Sequence, residues 1–411
     1  MLYVISSSYS GISINDPDEL IDSIKKVHTK VPLTGKKTNE LLALKDKQLQ
    51  YLIAAIRNTP QIPENWSEDE WKEWLATLIP HRILSLLALH ISTWEEKFRP
   101  PDFIYSRLIK EFHQAAIKSV LIDHQLLNLS SIFEKEKIEV IIVKGVALAR
   151  SIYPDTATRI SCDIDLFVQP ENIKNLENIL ENLGYRCPEH TFDISPDIFQ
   201  EEVFFTPKNM ANIDIHWSID RNFSLFDQDW LDKAFISKQL IQYNNFNFFT
   251  FNPINHLEYL AFHHIFQHDS MTFDWIMDIA YLFPKLTIED WKIITKKSAM
   301  DNVRISLELA LIIASLWSGV SLPENYNNFS NWPVPSQKEQ KIMTFAKNHS
   351  IYLMSFIHII HALKNRNDKI SHIYYYIFPP KGLLYKYRKS DSILDIPCAY
   401  IRRWISFIKY F

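Results

Sequence analysis

Two aspartates stand one residue apart in the stretch SCDIDLFV, at Asp163 and Asp165, inside an otherwise apolar run. In a strand, residues i and i+2 point to the same face. Both carboxylates therefore project side by side, while Ile164 and Leu166 turn to the core. Like charges this close raise each other's pKa values, and a divalent cation removes that penalty. Asp214, in NIDIHW, supplies a third carboxylate in a similar strand context. Three such groups suit two ions, about 3.5–4 Å apart, that clamp the attacking and leaving oxygens of a displacement at phosphorus. Upstream, VKG ends a β-rich run and opens a helix whose N-terminus can hold phosphate oxygens. Lys144, Arg150 and Arg159 add positive charge around a triphosphate. His216, beside Asp214, is placed to hydrogen-bond an acceptor, a phosphate or its own strand neighbours. The competing reading of DID is a strand-edge pair that simply faces solvent.

These groups need a small sheet to hold them, and the pattern supplies one. IEVIIVKG is a short β-rich run ended by Gly145, and GVALARSIY is a helix of two turns. CDIDLFV is a second strand. Pro170 starts the helix PENIKNLENILENLG, with Gly184 as its C-cap. EEVFFTP and ANIDIHWSI read as two further strands joined by a hairpin turn at PKNM. The flanks are helical. Ser67 and Glu70 form a capping box at the head of SEDEWKEWLATLIPHRILSLLALHIS, read as one helix. A long amphipathic helix, or a pair, covers 104–136, and NHLEYLAFHHIFQH begins a second helical array. The expected organisation is a helical region over 1–135, an α/β core over 136–250 and a helical domain with a basic, aromatic tail over 251–411. The fold class is α+β, a small mixed sheet embedded in mostly helical N- and C-terminal regions.

The run IEVIIVKGVALARSIYPDTATRISCDIDLFVQPENIKNLENILENLGY, followed by NIDIHWSI, resembles the uncharacterised bacterial nucleotidyltransferase family of the polymerase-β-like superfamily. Gly145 stands at the glycine motif, Asp163 and Asp165 at the aspartate pair, and Asp214 at the third acidic position. Lys144 and Arg159 match the family's KG and the arginine before the acidic strand, and His216 and Trp217 its DxHW ending. IPHRILSLLALH and LAFHHIFQHDSMTFDWIMDIA extend the resemblance to roughly 75–330. Val146 departs from the small residue usual after the glycine, so phosphate cradling differs here. The resemblance implies a polymerase-β-like core and a magnesium-dependent nucleotidyltransferase, with manganese as the alternative ion. A nucleoside monophosphate would pass from a nucleoside triphosphate, ATP in the first place, to a hydroxyl or phosphate of a small-molecule, peptide or protein acceptor, releasing pyrophosphate. In that reading Asp163, Asp165 and Asp214 hold the metal and do the chemistry. Lys144, Gly145, Arg150, Arg159 and His216 bind the nucleotide. The alternatives are a catalytically silent nucleotide- or protein-binding relative and an RNA-modifying transferase.

Composition narrows the partners. Net charge is −4, so bulk charge gives no reason to expect nucleic acid. Only six glycines occur in 411 residues, which argues against a glycine-fingerprint nucleotide fold. Cys162, Cys187 and Cys398 have no zinc or redox spacing, and no basic leader or long apolar segment opens the chain; the expectation is cytoplasmic, without a transmembrane segment. His264 and His268, four apart, and Asp278 admit a zinc site. Ile265 stands where a zinc-protease motif has glutamate, so substrate contact or a buried histidine–aspartate network is the preferred reading. From residue 361 the tail carries ten Lys/Arg against three acidic residues. That suits peripheral contact with an acidic surface such as a membrane, or amphipathic helices packed on the helical domain.

Overall fold

Alternation along the strands decides the architecture. The computed structural model describes residues 16–31, 35–187, 201–204, 210–219, 228–267, 272–348, 360, 366–378, 384, 387–390, 392 and 395–408. Helices α1 (Pro17–His28), α2 (Lys36–Leu42), α3 (Asp46–Ile56), α4 (Glu68–Leu78), α5 (Leu84–Ser92) and α6 (Asp102–Glu136) precede the sheet. Then come β1 (Val140–Val143), α7 (Lys144–Ser151), β2 (Asp163–Val168), α8 (Ile173–Asn182), β3 (Glu201–Phe204), β4 (Asn212–His216), α9 (Gln228–Ile236), β5 (Gln239–Tyr243) and β6 (Phe246–Thr250). Helices α10 (Pro253–Phe262), α11 (Phe273–Leu282), α12 (Ile288–Met300), α13 (Arg304–Ser318) and α14 (Gln337–Asn348) follow, with α15 (Arg366–Ile377) and α16 (Asp395–Ile408) in the tail. No single helix among the described residues is long and apolar enough to cross a membrane.

The six strands form one mixed sheet in the order β3-β4-β2-β1-β6-β5. β2 and β4 run parallel, as do β1 and β6, and the other pairs are antiparallel. One face carries Val140, Ile142, Ile164, Leu166, Ile213 and Ile215 into a small core with α6 and α8. The other carries Ile141, Val143 and Phe167 into the large core of the helical regions. Asp163 and Asp165 share that second face with Phe167, as period two requires. The carboxylates therefore open between the sheet and the helices.

Two features depart from the sequence reading. The hairpin β5–β6 was not anticipated, although Asn244 and Asn245 mark a two-residue turn and Asn244 has φ +47. The segment from Ser67 to Ser92 is two helices, α4 and α5, bent by 120°. Pro80 lies in a short 3-10 turn at that bend, and Arg82 makes the corner with φ 56 and ψ 27. Residues 205–209, and with them most of the expected PKNM turn, lie outside the described residues. The Ser67–Glu70 capping box and the left-handed Gly184 are as expected.

α13 is the buried axis against which α1, α10 and α11 pack, and α14 caps it with a carboxylate. Glu339 accepts hydrogen bonds from the N–H groups of Arg304, Ile305 and Ser306. Burial nevertheless pushes its carboxyl up from 4.5 to about 7. Between those values the folded chain keeps a proton that the unfolded chain has released. This contribution is thus full below about pH 4.5 and is lost as pH rises to 7, by about 3 kcal/mol. Urea denaturation at pH 5 and pH 8 should show a smaller loss in Glu339→Gln than in the wild type. An equal loss in both would place the proton elsewhere.

Candidate functional site

β1 ends at Val143, which pairs with Asp165 across the antiparallel ladder. On its other side Asp165 pairs with Asp214, and Phe167 with His216, across the parallel ladder. The register alone thus sets Asp165 between the start of α7 and the third carboxylate. Gln125 of α6 fixes the entry to β4. Its amide oxygen accepts from the Ala211 N–H at 3.0 Å, and its amide nitrogen donates to the Ala211 carbonyl at 2.8 Å.

The turn from β1 into α7 is made by a single residue. Lys144 has φ +54, a left-handed conformation that a long side chain adopts at a cost of about 1 kcal/mol. Its N–H donates to His256 Nε2 at 3.3 Å. Burial pushes the His256 imidazole down to about 3, which keeps it a neutral acceptor. The Lys144 ammonium reaches Asp165 Oδ1 at 2.6 Å and lies 5.8 Å from the centre of the Tyr259 ring. His256 and Tyr259 both come from α10, so the helical region holds this strained turn from outside the sheet.

His216 Nε2 also contacts Asp165 Oδ1, at 2.9 Å, and its ring stacks on Phe167 with centroids 5.2 Å apart. Burial alone would push the Asp165 carboxyl up. Lys144 and His216 outweigh it and hold the group well below the usual carboxylate range. Asp163 moves the other way, raised by burial and then by the Asp165 charge. The mutual rise expected for the pair is therefore split, because Asp165 alone takes Lys144 and His216 as hydrogen-bonding partners.

Asp165, Asp214 and His216 each offer a ligand atom, all within 4.8 Å of one another. Two carboxylates and an imidazole suit a divalent cation. Asp163 shares the face but stands beside this group, at the outer end of β2 and half-buried. His216, expected among the nucleotide-binding residues, stands in this cluster.

The two arginines expected around a triphosphate are committed elsewhere. Arg150 is a tie between α7 and α6. Its Nε donates to Asp123 Oδ1 at 2.7 Å, and its other nitrogens to the Val146 and Ser119 carbonyls. Arg159 makes a two-pronged pair with Asp278, both contacts 2.7 Å, and a third bond to Asp274 Oδ2 at 3.1 Å. Burial works against its charged form, but the two carboxylates hold it charged. Tyr153 donates to the same Asp278 at 2.7 Å. Among the described residues, Asp278 thus joins an arginine–aspartate–tyrosine network. His264 packs edge-to-face on Trp275, and His268 lies outside the described residues.

This network explains Gly145. A Cβ there would meet Ser161 Oγ at 2.5 Å and the Arg159 guanidinium at 3.0 Å. The glycine admits the loop before β2 against the first turn of α7. The space that its missing side chain leaves is filled by protein.

Arg82, Asp274 and the contact of His256 with Lys144 escaped the sequence reading. Asp274 and Asp278 are four apart on one helix face, a spacing that suits a shared cation. Pro80 marked the corner that carries Arg82. Nothing local connects His256 to Lys144, 112 residues away.

Among protein families, the one described as Uncharacterised nucleotidyltransferase matches residues 67–319. That span runs from the Ser67 cap of α4 to the left-handed Gly319 that ends α13. No curated protein matches the chain.

Three substitutions test the packing. Gly145→Ala should cost about 1–3 kcal/mol in urea denaturation, because the pinned Arg159 cannot move aside. Adding Ser161→Ala should recover part of the loss. Arg159→Lys cannot span Asp278 in the two-pronged geometry and should cost about 3 kcal/mol. A loss below about 0.5 kcal/mol would mean that the pair does not anchor the loop.

Proposed function

The chain belongs to this uncharacterised nucleotidyltransferase family, part of the polymerase-β-like superfamily, and from that premise we propose that it transfers a nucleoside monophosphate from a nucleoside triphosphate to an acceptor hydroxyl. The observation that carries the proposal is the convergence of Asp165, Asp214 and His216 beside the Lys144 ammonium. A divalent cation on Asp165 and Asp214, magnesium in the first place and aided by Asp163, would supply charge neutralisation and Lewis acidity toward the phosphate oxygens.

The chain's own residues do the rest. Lys144 stands 2.6 Å from the central carboxylate and is the ammonium nearest to phosphates bound there. His216 orients Asp165 by hydrogen bonding to one of its oxygens, as partners of ligating carboxylates do. The acceptor oxygen bonds to the α-phosphorus as the bond to the β-phosphate oxygen breaks. Pyrophosphate leaves, and Asp214 receives the hydroxyl proton. The α7 N-terminus adds oriented N–H groups to the phosphate side.

The test is release of pyrophosphate from each of the four nucleoside triphosphates with magnesium, offered with candidate acceptors. Asp165→Asn and Asp214→Asn should each lower turnover at least about a hundredfold, the scale of losing one group that stabilises transition-state charge. Asp163→Asn should lower it too. Undiminished turnover in all three would remove the carboxylates from the chemistry. Nucleotide binding without turnover across the acceptor set would favour the catalytically silent alternative.

A further inference from the structure

We propose that Arg82 forms a subsite for the terminal phosphate of the nucleoside triphosphate, an inference that rests on the reading above. Arg82 is the corner residue between α4 and α5, far in sequence from the sheet. Its left-handed backbone is costly for a long side chain, and such strain persists where surrounding structure imposes it. The corner sends the side chain toward α11, where Arg82 lies 3.8 Å from Asp274 Oδ2. That distance is at the limit of an ion pair. The same oxygen already accepts from Arg159 at 3.1 Å, and the Thr272 hydroxyl and Trp275 N–H donate to the other.

Arg82 is thereby placed relative to the site. The guanidinium of Arg159 lies against Gly145, in the first turn of α7 and next to Lys144. Arg82 meets the carboxylate that holds this guanidinium, so it lies one contact farther out along the same ledge. Lys144 is committed to Asp165, and Arg159 is buried between Asp278 and Asp274. Arg82 differs from both: its side chain is 45% exposed and its carboxylate contact is long. A guanidinium in that state has paired N–H donors to offer, in the fork geometry that phosphate oxygens accept.

Position picks the phosphate. With the α-phosphate at Asp165 and Asp214, the chain of phosphates follows the α7 N-terminus past Lys144. Its far end then lies beyond the first turn of α7, on the side where Asp274 meets both Arg159 and Arg82. Arg150 and Arg159, the arginines nearer in sequence, are structural ties; the phosphate-facing guanidinium comes from the helical region instead.

The test is titration calorimetry with ATP, GTP, CTP and UTP, each with magnesium, on the full chain. The di- and monophosphate of whichever nucleotide binds are then titrated. Arg82→Asn suits the left-handed backbone and removes the charge, while Arg82→Lys keeps the charge and loses the fork. Arg82→Asn should weaken the triphosphate at least tenfold and the monophosphate less than twofold, with Arg82→Lys in between. Unchanged thermal midpoints would show both variants folded. Wild type that binds no triphosphate overturns the transferase reading, and the subsite with it. Wild type that binds, with Arg82→Asn equally tight, overturns the subsite alone. So does an equal loss for tri- and monophosphate, which would put Arg82 at the nucleoside end.

Discussion

A guanidinium taken out of water must bring its counter-charge with it, and the rest of this structure is arranged around that demand. Arg159 is buried in the loop before β2, and both oxygens of Asp278 meet it on one edge. Those oxygens belong to α11, more than a hundred residues later. The pair therefore clamps the sheet to the helical region at the place where the aspartates emerge. Such pairs add little net stability, since desolvation offsets most of the attraction. Their consequence is positional: a half-made pair would leave a buried charge, so the loop and α11 have one acceptable arrangement. Gly145 follows from it, because only a residue without a side chain fits between the guanidinium and α7.

The same logic separates the two aspartates of β2. They have the same chemistry and the same face, yet opposite shifts. Asp165 lies where three structural units meet: the end of β1, the parallel neighbour β4, and α7. Lys144 and His216 are delivered to it by register rather than by flexible reach. Asp163 is one pleat farther out and has the weaker influences. The sheet thus separates two carboxylates of one strand: Lys144 and His216 lower Asp165, while burial and the Asp165 charge raise Asp163.

Much of this was legible in the sequence wherever one strand or one helix decides the outcome. Period two put Asp163 and Asp165 on one face, and β1, β2, β3 and β4 stand where branched and aromatic runs predict them. The family resemblance, placed at roughly 75–330, compares with a match over 67–319. The pairings that the sequence did not reveal have a common physical cause. Arg150 and Arg159 are close to the carboxylates in sequence, and sequence distance does not reveal whether a guanidinium is already paired. Arg150 is satisfied by Asp123 on α6 and Arg159 by α11. His216 was read beside Asp214, its neighbour along the chain, whereas the hydrogen bond runs across the ladder to Asp165. The β5–β6 hairpin was overlooked because its strands alternate weakly and its turn has no glycine.

The division of labour between sheet and helices follows from what each can hold. A sheet fixes carboxylates well, because ladder and pleat set their spacing without help from the side chains. It is poor at supplying cations, since a lysine or arginine close to it pairs with the nearest aspartate, as Lys144 at the head of α7 does with Asp165. A positive group meant to stay available has to be anchored elsewhere and approach from across the cleft. The corner at Arg82 meets that condition: Pro80 precedes it in the bend, α4 and α5 anchor it in the large core, and Asp274 takes only a distant share of its charge. The burial of Arg159 is what makes this possible, because it occupies the Asp274 oxygen that would otherwise draw Arg82 in.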